Sequence, residues 1–168
     1  GIGPIPVEAV DEFGLKDRNG AVVLNVAPGG AAAKAGIEPG DVIISYNGKP
    51  IRVSEVSELR RAVVLASRSE TERGEWDRFR GRFRLEVCGS VAYKLAHIAA
   101  GRADATFSLT PKNEWDLCSS AYVVECAGGR VTDLAGEPLR FNQQNPIRAG
   151  LVASNGFLHE ELLGLVRR

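Results

Sequence analysis

The run Leu59-Arg60-Arg61-Ala62-Val63-Val64-Leu65-Ala66 joins two differently patterned stretches, and it contains no glycine, proline or serine. Independently mobile domains need slack, and slack is polar and rich in Gly, Ser or Pro. The two stretches must therefore dock tightly or share structure. An unpartnered sheet edge at such a junction would invite self-association.

At 168 residues the chain holds one ordinary domain or two small ones, and its 44% apolar content is enough for a core. Lys plus Arg and Asp plus Glu are 21 each, so the formal net charge is zero. That balance argues against bulk attraction to nucleic acid or a membrane surface. Arg78-Phe79-Arg80-Gly81-Arg82-Phe83-Arg84 is read as an exposed strand face with its aromatics turned inward, against the alternative of a nucleotide-stacking strip. Cys88, Cys118 and Cys126 are an odd set without framework spacing and are expected to be reduced, mostly buried thiols in a cytoplasmic setting. No apolar run approaches membrane-spanning length, and no signal-peptide pattern is present. The chain has no methionine and starts at Gly1, so a processed, trimmed or recombinant polypeptide is expected.

Ala21 to Val26 is β-branched and bounded by turn residues, which predicts a buried strand. Ala31 to Ala35 predicts a short helix stopped by Gly36, and Asp41 to Tyr46 a second strand. Asn47-Gly48 is a strong hairpin turn. Ser54 is placed to cap a helix whose Val56, Leu59 and Val63 form an apolar stripe.

Val26 to Ile43, with Pro28-Gly29-Gly30 and Gly36-Ile37-Glu38-Pro39-Gly40-Asp41 inside it, together with Asn47-Gly48-Lys49-Pro50-Ile51, resembles a PDZ domain of the bacterial high-temperature-requirement serine protease type. The resemblance implies a loop, Gly1-Ile2-Gly3, that receives a peptide's terminal carboxylate. It implies a docking strand at Ile5 to Val7 and a helical groove wall carrying Val56 and Leu59. Pro4 and Pro6 depart from this pattern, because each removes an N–H donor from the docking strand.

Farther on, Val63 to Ser67, Arg82 to Val87, Ala103 to Leu109, Arg130 to Asp133 and Leu151 to Ser154 are strand-like. Helices are predicted after Ser90, over Leu117 to Ala127, and after Asn155 with Leu158, Leu162 and Leu165 as its stripe. Strands alternating with helices predict an α/β layer. Asp104 and Asp133 are read as surface partners of arginines, and His97 and His159 lack metal-ligand spacing.

Ser67-Arg68-Ser69-Glu70, Gly89-Ser90-Val91-Ala92-Tyr93-Lys94, Asn113-Glu114-Trp115-Asp116 and Ala127-Gly128-Gly129 follow in an order that resembles the C-terminal half of the inositol monophosphatase family. The resemblance implies that Asp116 is a Mg²⁺ ligand, though an aspartate at a helix start is also a good cap. It places Gly89, Ser90 and Ser108 on the substrate side of a cleft. It turns Lys112 toward a phosphate, unless that lysine is simply solvated. The Gly-Glu-Glu-like and Asp-Pro-Ile-Asp-Gly-like segments that carry the family's other ligands do not occur in this sequence. Two-metal phosphoryl chemistry needs those carboxylates.

The expected fold is mixed α/β: a small β-rich PDZ-like unit at residues 1–63, joined without a linker to an α/β half-domain of the sugar-phosphatase type at 64–168. The expected function is that of a non-catalytic, chimeric scaffold, with no cofactor, that captures peptide or protein C-termini. The alternative is a Mg²⁺-dependent phosphomonoesterase whose missing ligands come from another chain.

Overall fold

The computed structural model describes residues 2–3, 5–12, 14–15, 20–46 and 49–167. In the first third, β1 (Ile2–Gly3), α1 (Val7–Glu12), β2 (Ala21–Val23), α2 (Ala31–Lys34) and β3 (Val42–Ile43) follow one another. The three strands form a small antiparallel sheet in the order β1-β2-β3. Ile5, Ala21 and Val23 are buried within it. A Cβ on Gly20 would lie 2.6 Å from the Ile43 carbonyl, so only glycine admits this close approach of the chains. β4 (Ser45–Tyr46) and β5 (Lys49–Pro50) pair with Tyr46 opposite Lys49. The Asn47-Gly48 turn expected between them lies outside the described residues.

The rest of the chain runs β6 (Val63–Ser67), α3 (Arg68–Glu72), β7 (Arg84–Cys88), α4 (Val91–Ala99), β8 (Ala105–Ser108), β9 (Lys112–Asn113), α5 (Glu114–Cys126), β10 (Arg130–Thr132), β11 (Ile147–Arg148), β12 (Leu151–Ser154) and α6 (His159–Val166). Five of these strands make a mixed sheet ordered β10-β12-β8-β6-β7, in which β7, β6 and β8 are parallel. β9 and β11 form a separate ribbon.

Alternation along the strands sorts the core into two layers. Val64 and Ala66 of β6 and Val152 of β12 join Trp76, Phe79, Phe107, Leu158 and Leu162 on one face. Leu65, Leu151 and Ala153 join Leu95, Ile98, Leu117 and Val124 on the other. Thus α6 covers one face and α4 with α5 the other. The mixed α/β architecture agrees with the sequence expectation.

The helix expected after Ser54 does not form. Residues 51–58 are irregular, and only a 3₁₀ turn at Leu59–Arg61 precedes β6. Distant partners take the groups such a helix would use. The Val53 amide donates to the Ala127 carbonyl at 3.0 Å. The Ser54 hydroxyl donates to Asp104, and Asn155 Nδ2 donates to the Val56 carbonyl at 2.8 Å. Val53 and Leu59 are buried against opposite faces of the five-stranded sheet. The segment is a strap over the α/β body, and non-local hydrogen bonds outweigh its helical spacing.

Further corrections follow from burial. Asp104 is no surface partner of arginine: it is 4% exposed and also accepts from the Val63 amide at 2.6 Å. Asp133 accepts from the Ala135 and Glu137 amides and shapes a turn. Cys118 is exposed rather than buried, and all three cysteines are free. The Arg78–Arg84 segment is mainly turn and 3₁₀ structure, with Phe79 and Phe83 buried as expected. Among the described residues, no helix is long and apolar enough to cross a membrane.

Candidate active site

The loop leaving β6 packs Trp76 and Phe79 on one face of the sheet, whereas the loop leaving β7 enters α4 on the other. Adjacent parallel strands whose connections diverge in this way open a crevice at their carboxyl ends. Ser67 of β6 and Cys88 of β7 stand opposite one another at that end, and β8 closes there with Ser108.

Glu70, in the short helix straight after β6, is the hub of this end. It is 2% exposed, and its Oε1 accepts from Ser108 Oγ at 2.6 Å, Thr110 Oγ1 at 2.7 Å and Lys112 Nζ at 3.0 Å. Its Oε2 accepts from Trp76 Nε1 at 3.2 Å. Burial alone would raise the carboxyl pKa. The hydrogen bonds from Ser108, Thr110 and Lys112, with the lysine's charge, outweigh that and hold it at about 2. Lys94, on α4, is 3% exposed, and burial lowers its pKa against the opposing pull of Glu70. The crevice thus carries one buried carboxylate and two lysines, a balance that suits an anionic guest.

Gly89 and Ser90 form the turn from β7 into α4. Ser90 adopts φ +59°, unusual for a residue with a side chain, and its Oγ accepts from the Tyr93 amide at 3.3 Å as the cap of α4. Asp116 lies in the first turn of α5, where an acidic residue suits the helix dipole. It is not the cap, since Asn113 holds that position, and its side chain is exposed. The structure therefore brings Ser108 and Lys112 together through Glu70 and sets Gly89 and Ser90 at the same strand ends. Asp116 follows Lys112 by four residues across the β9–α5 junction.

Glu70, Lys94 and Thr110 were not singled out by sequence reasoning. The Ser67–Glu70 and Gly89–Lys94 motifs hold the first two, but only the folded geometry shows that Glu70 gathers groups from two strands.

Among the described residues, those expected to bind a peptide are divided between the small sheet and the core of the five-stranded one. Gly1 lies outside the described residues. Ile2 and Gly3 pair with Val23 and Val22 as an edge of the small sheet. Ile5 is 1% exposed, and Val7 starts α1 instead of continuing a docking strand. With Pro6 between them, the segment cannot present an unbroken ladder of donors. Val56 and Leu59 pack on the core of the five-stranded sheet, with no α-helix to carry them.

The metal that the resemblance implies finds an incomplete donor set. A hard dication takes several oxygen ligands. Among the described residues, no group of three or more His, Cys, Asp or Glu side chains could hold an ion. Asp116 supplies one carboxylate, and the residues present do not form a Mg²⁺ site by themselves.

Comparison with known proteins accounts for both patterns. The model of the inositol monophosphatase family matches residues 42–168, and that of the PDZ domain matches residues 7–69. The fructose-1,6-bisphosphatase/inositol-1-monophosphatase of Thermotoga maritima is 32% identical over 131 residues, covering 72% of this chain and 46% of that protein. Inositol monophosphatase 3 of Solanum lycopersicum is 39% identical over 100 residues, covering 54% of this chain and 37% of that protein. The structure of the Thermotoga maritima IMPase superposes with a TM-score of 0.63 at 30% identity, covering 73% of this chain and 47% of that one. The chain spans about half the length of the phosphatases it matches. A probable periplasmic serine endoprotease DegP-like protein of Bartonella henselae is 41% identical over 70 residues, covering 42% of this chain and 13% of that protein. The PDZ-like segment is thus consistent with a fusion, and PDZ domains bind peptides in general.

These matches overturn the expectation of a non-catalytic scaffold. The homologues and structural neighbours are phosphatases, and they favour the phosphatase alternative.

Proposed function

This chain belongs to the inositol monophosphatase family, and on that premise we propose that it furnishes the substrate-side half of a phosphomonoesterase site. The family is Mg²⁺-dependent in general. In this reading Asp116 contributes one carboxylate, and the remaining ligands come from another polypeptide. The observation that carries the reading is the Glu70 hub, which fixes Ser108 and Lys112 at the carboxyl ends of the parallel strands.

The roles of the chain's own residues follow from their chemistry. Glu70 accepts four hydrogen bonds and so holds Lys112 and Ser108 in place at no cost in freedom when substrate arrives. Lys112 and the buried Lys94 bring positive charge to a phosphate ester's oxygens. Gly89 and Ser90 offer backbone and hydroxyl groups to the alcohol portion. Sugar-phosphate and polyol-phosphate monoesters are the substrate class proposed.

The test is hydrolysis of inositol monophosphate and fructose bisphosphate in Mg²⁺ by the chain alone and mixed with a polypeptide carrying the N-terminal half of the family's fold. Phosphate release that requires the mixture, and that Asp116→Asn abolishes, supports the reading. No release in any mixture, or release untouched by Asp116→Asn, overturns it.

A further inference from the structure

At the opposite end of the parallel strands lies a second cavity. It measures about 580 Å³ and is lined by Arg60, Arg80, Gly81, Arg82, Glu161 and Gly164, among others. Arg60 precedes β6, and Arg80 to Arg82 precede β7, so the cavity sits at the strands' amino ends. The crevice around Glu70 sits at their carboxyl ends. β6 is five residues long, which separates the two by about 16 Å of strand.

Three arginines and one acidic residue, Glu161, line this cavity. Arg80 is paired with Asp77 at 2.8 Å. Among the described residues, the side chains of Arg60 and Arg82 have neither a hydrogen bond nor an ion pair. In a chain of zero formal net charge, this grouping of arginines is a local feature and does not follow from composition. Phe79 and Phe83 are buried, so no aromatic platform accompanies the arginines and base stacking gains no support. The volume lies in the usual range for small-molecule sites. Guanidinium forks match phosphate oxygens two at a time. A Cβ on Gly81 or Gly164 would meet nothing within 4 Å, so neither glycine is packed against a neighbour.

We propose that this cavity binds a small soluble molecule bearing clustered phosphates, at a site separate from the crevice that holds Glu70 and Lys112. One phosphate engages Arg60 and a neighbouring one Arg82, with Arg80 released from Asp77 to join them. The site is open and charged, so its affinity falls as salt rises.

The test is calorimetric titration of the whole chain with sodium tripolyphosphate and with orthophosphate at low ionic strength. At this cavity tripolyphosphate is expected to bind roughly tenfold or more tighter than orthophosphate. Arg60→Gln with Arg82→Gln should weaken it by roughly tenfold or more. Gly164→Trp should fill the cavity and abolish binding, without harm to α6, where glycine is the poorer helix former. Arg130→Gln, which lies in neither crevice, should leave it unchanged. Circular dichroism confirms that each variant is folded. Equal binding by wild type and the cavity variants overturns the proposal, as does an equal loss of binding in Arg130→Gln. A ~15-nucleotide single strand that binds more tightly than tripolyphosphate also overturns it.

Discussion

The Val63 amide donates to Asp104 Oδ2 at 2.6 Å, across forty-one positions of sequence. The other carboxylate oxygen of Asp104 accepts from Ser54, and the Asp104 carbonyl accepts from the Asn155 amide at 2.9 Å. One buried aspartate thereby ties together the strap, the start of β6 and the end of β12. Asp104→Ala removes both side-chain bonds and takes from the part-buried Val63 amide its carboxylate acceptor. It is expected to destabilise the protein by about 3 kcal/mol in urea unfolding, and Asp104→Asn by less.

Glu70 should make the protein sensitive to strong acid. Its folded pKa of about 2 lies below the ordinary value of 4.5. Its contribution is therefore complete above pH 4.5 and is lost as the pH falls from there through 2. The full loss is on the order of 3 kcal/mol. Glu70→Gln should be less stable than wild type at neutral pH and should lack this part of the acid transition. Unfolding midpoints measured at intervals between pH 5 and pH 2 decide the matter.

His159 should add a separate, milder acid transition. The ring is fully buried, with Nε2 2.9 Å from Thr132 Oγ1 and Nδ1 3.0 Å from Ser154 Oγ. Burial, reinforced by the nearby Arg130 charge and opposed by Glu160, lowers its pKa from 6.5 to about 4. Between these values the unfolded chain binds a proton that the folded one refuses. Stability is thus lost as the pH falls from 6.5 to 4, by no more than about 3 kcal/mol. His159→Gln should flatten this window, as read by thermal melts across it.

Gly129 should tolerate no side chain. A Cβ there would lie 2.6 Å from both the Ser154 carbonyl and Val124 Cγ1. Gly129→Ala is expected to cost about 2 kcal/mol, because α5 and β12 must move apart. Gly164→Ala, which meets open space, serves as the matched control and should be neutral or slightly stabilising in the same denaturation experiment.

The elements that sequence patterns place well are those whose partners lie nearby. Ser90 caps α4 through an amide three residues on, and β6 at Val63–Ser67 is a short apolar run set between Arg61 and Arg68. Ser54, Val56 and Leu59 show the opposite case. Their spacing is helical, yet Asp104, Ala127 and Asn155, all distant in sequence, capture the segment's polar groups and pull it straight. Asp104 itself looks like any surface acid until the strap covers it. In the candidate site, family motifs pointed to Gly89, Ser90, Ser108, Lys112 and Asp116, and the structure gathers Ser108 and Lys112 around Glu70. Glu70 itself was not legible, because its meaning lies in hydrogen bonds to residues about forty positions away.

The grip of the front of the chain on α5 has a mechanical consequence. The Gly20 amide reaches the Cys126 carbonyl and the Val53 amide reaches Ala127, so two early segments hold the tail of this helix. Asp116 rides at its head. Thirteen helical residues make a stiff rod of about 20 Å. A tug on the leading third of the polypeptide is therefore delivered, end to end, to the carboxylate at the rod's far tip.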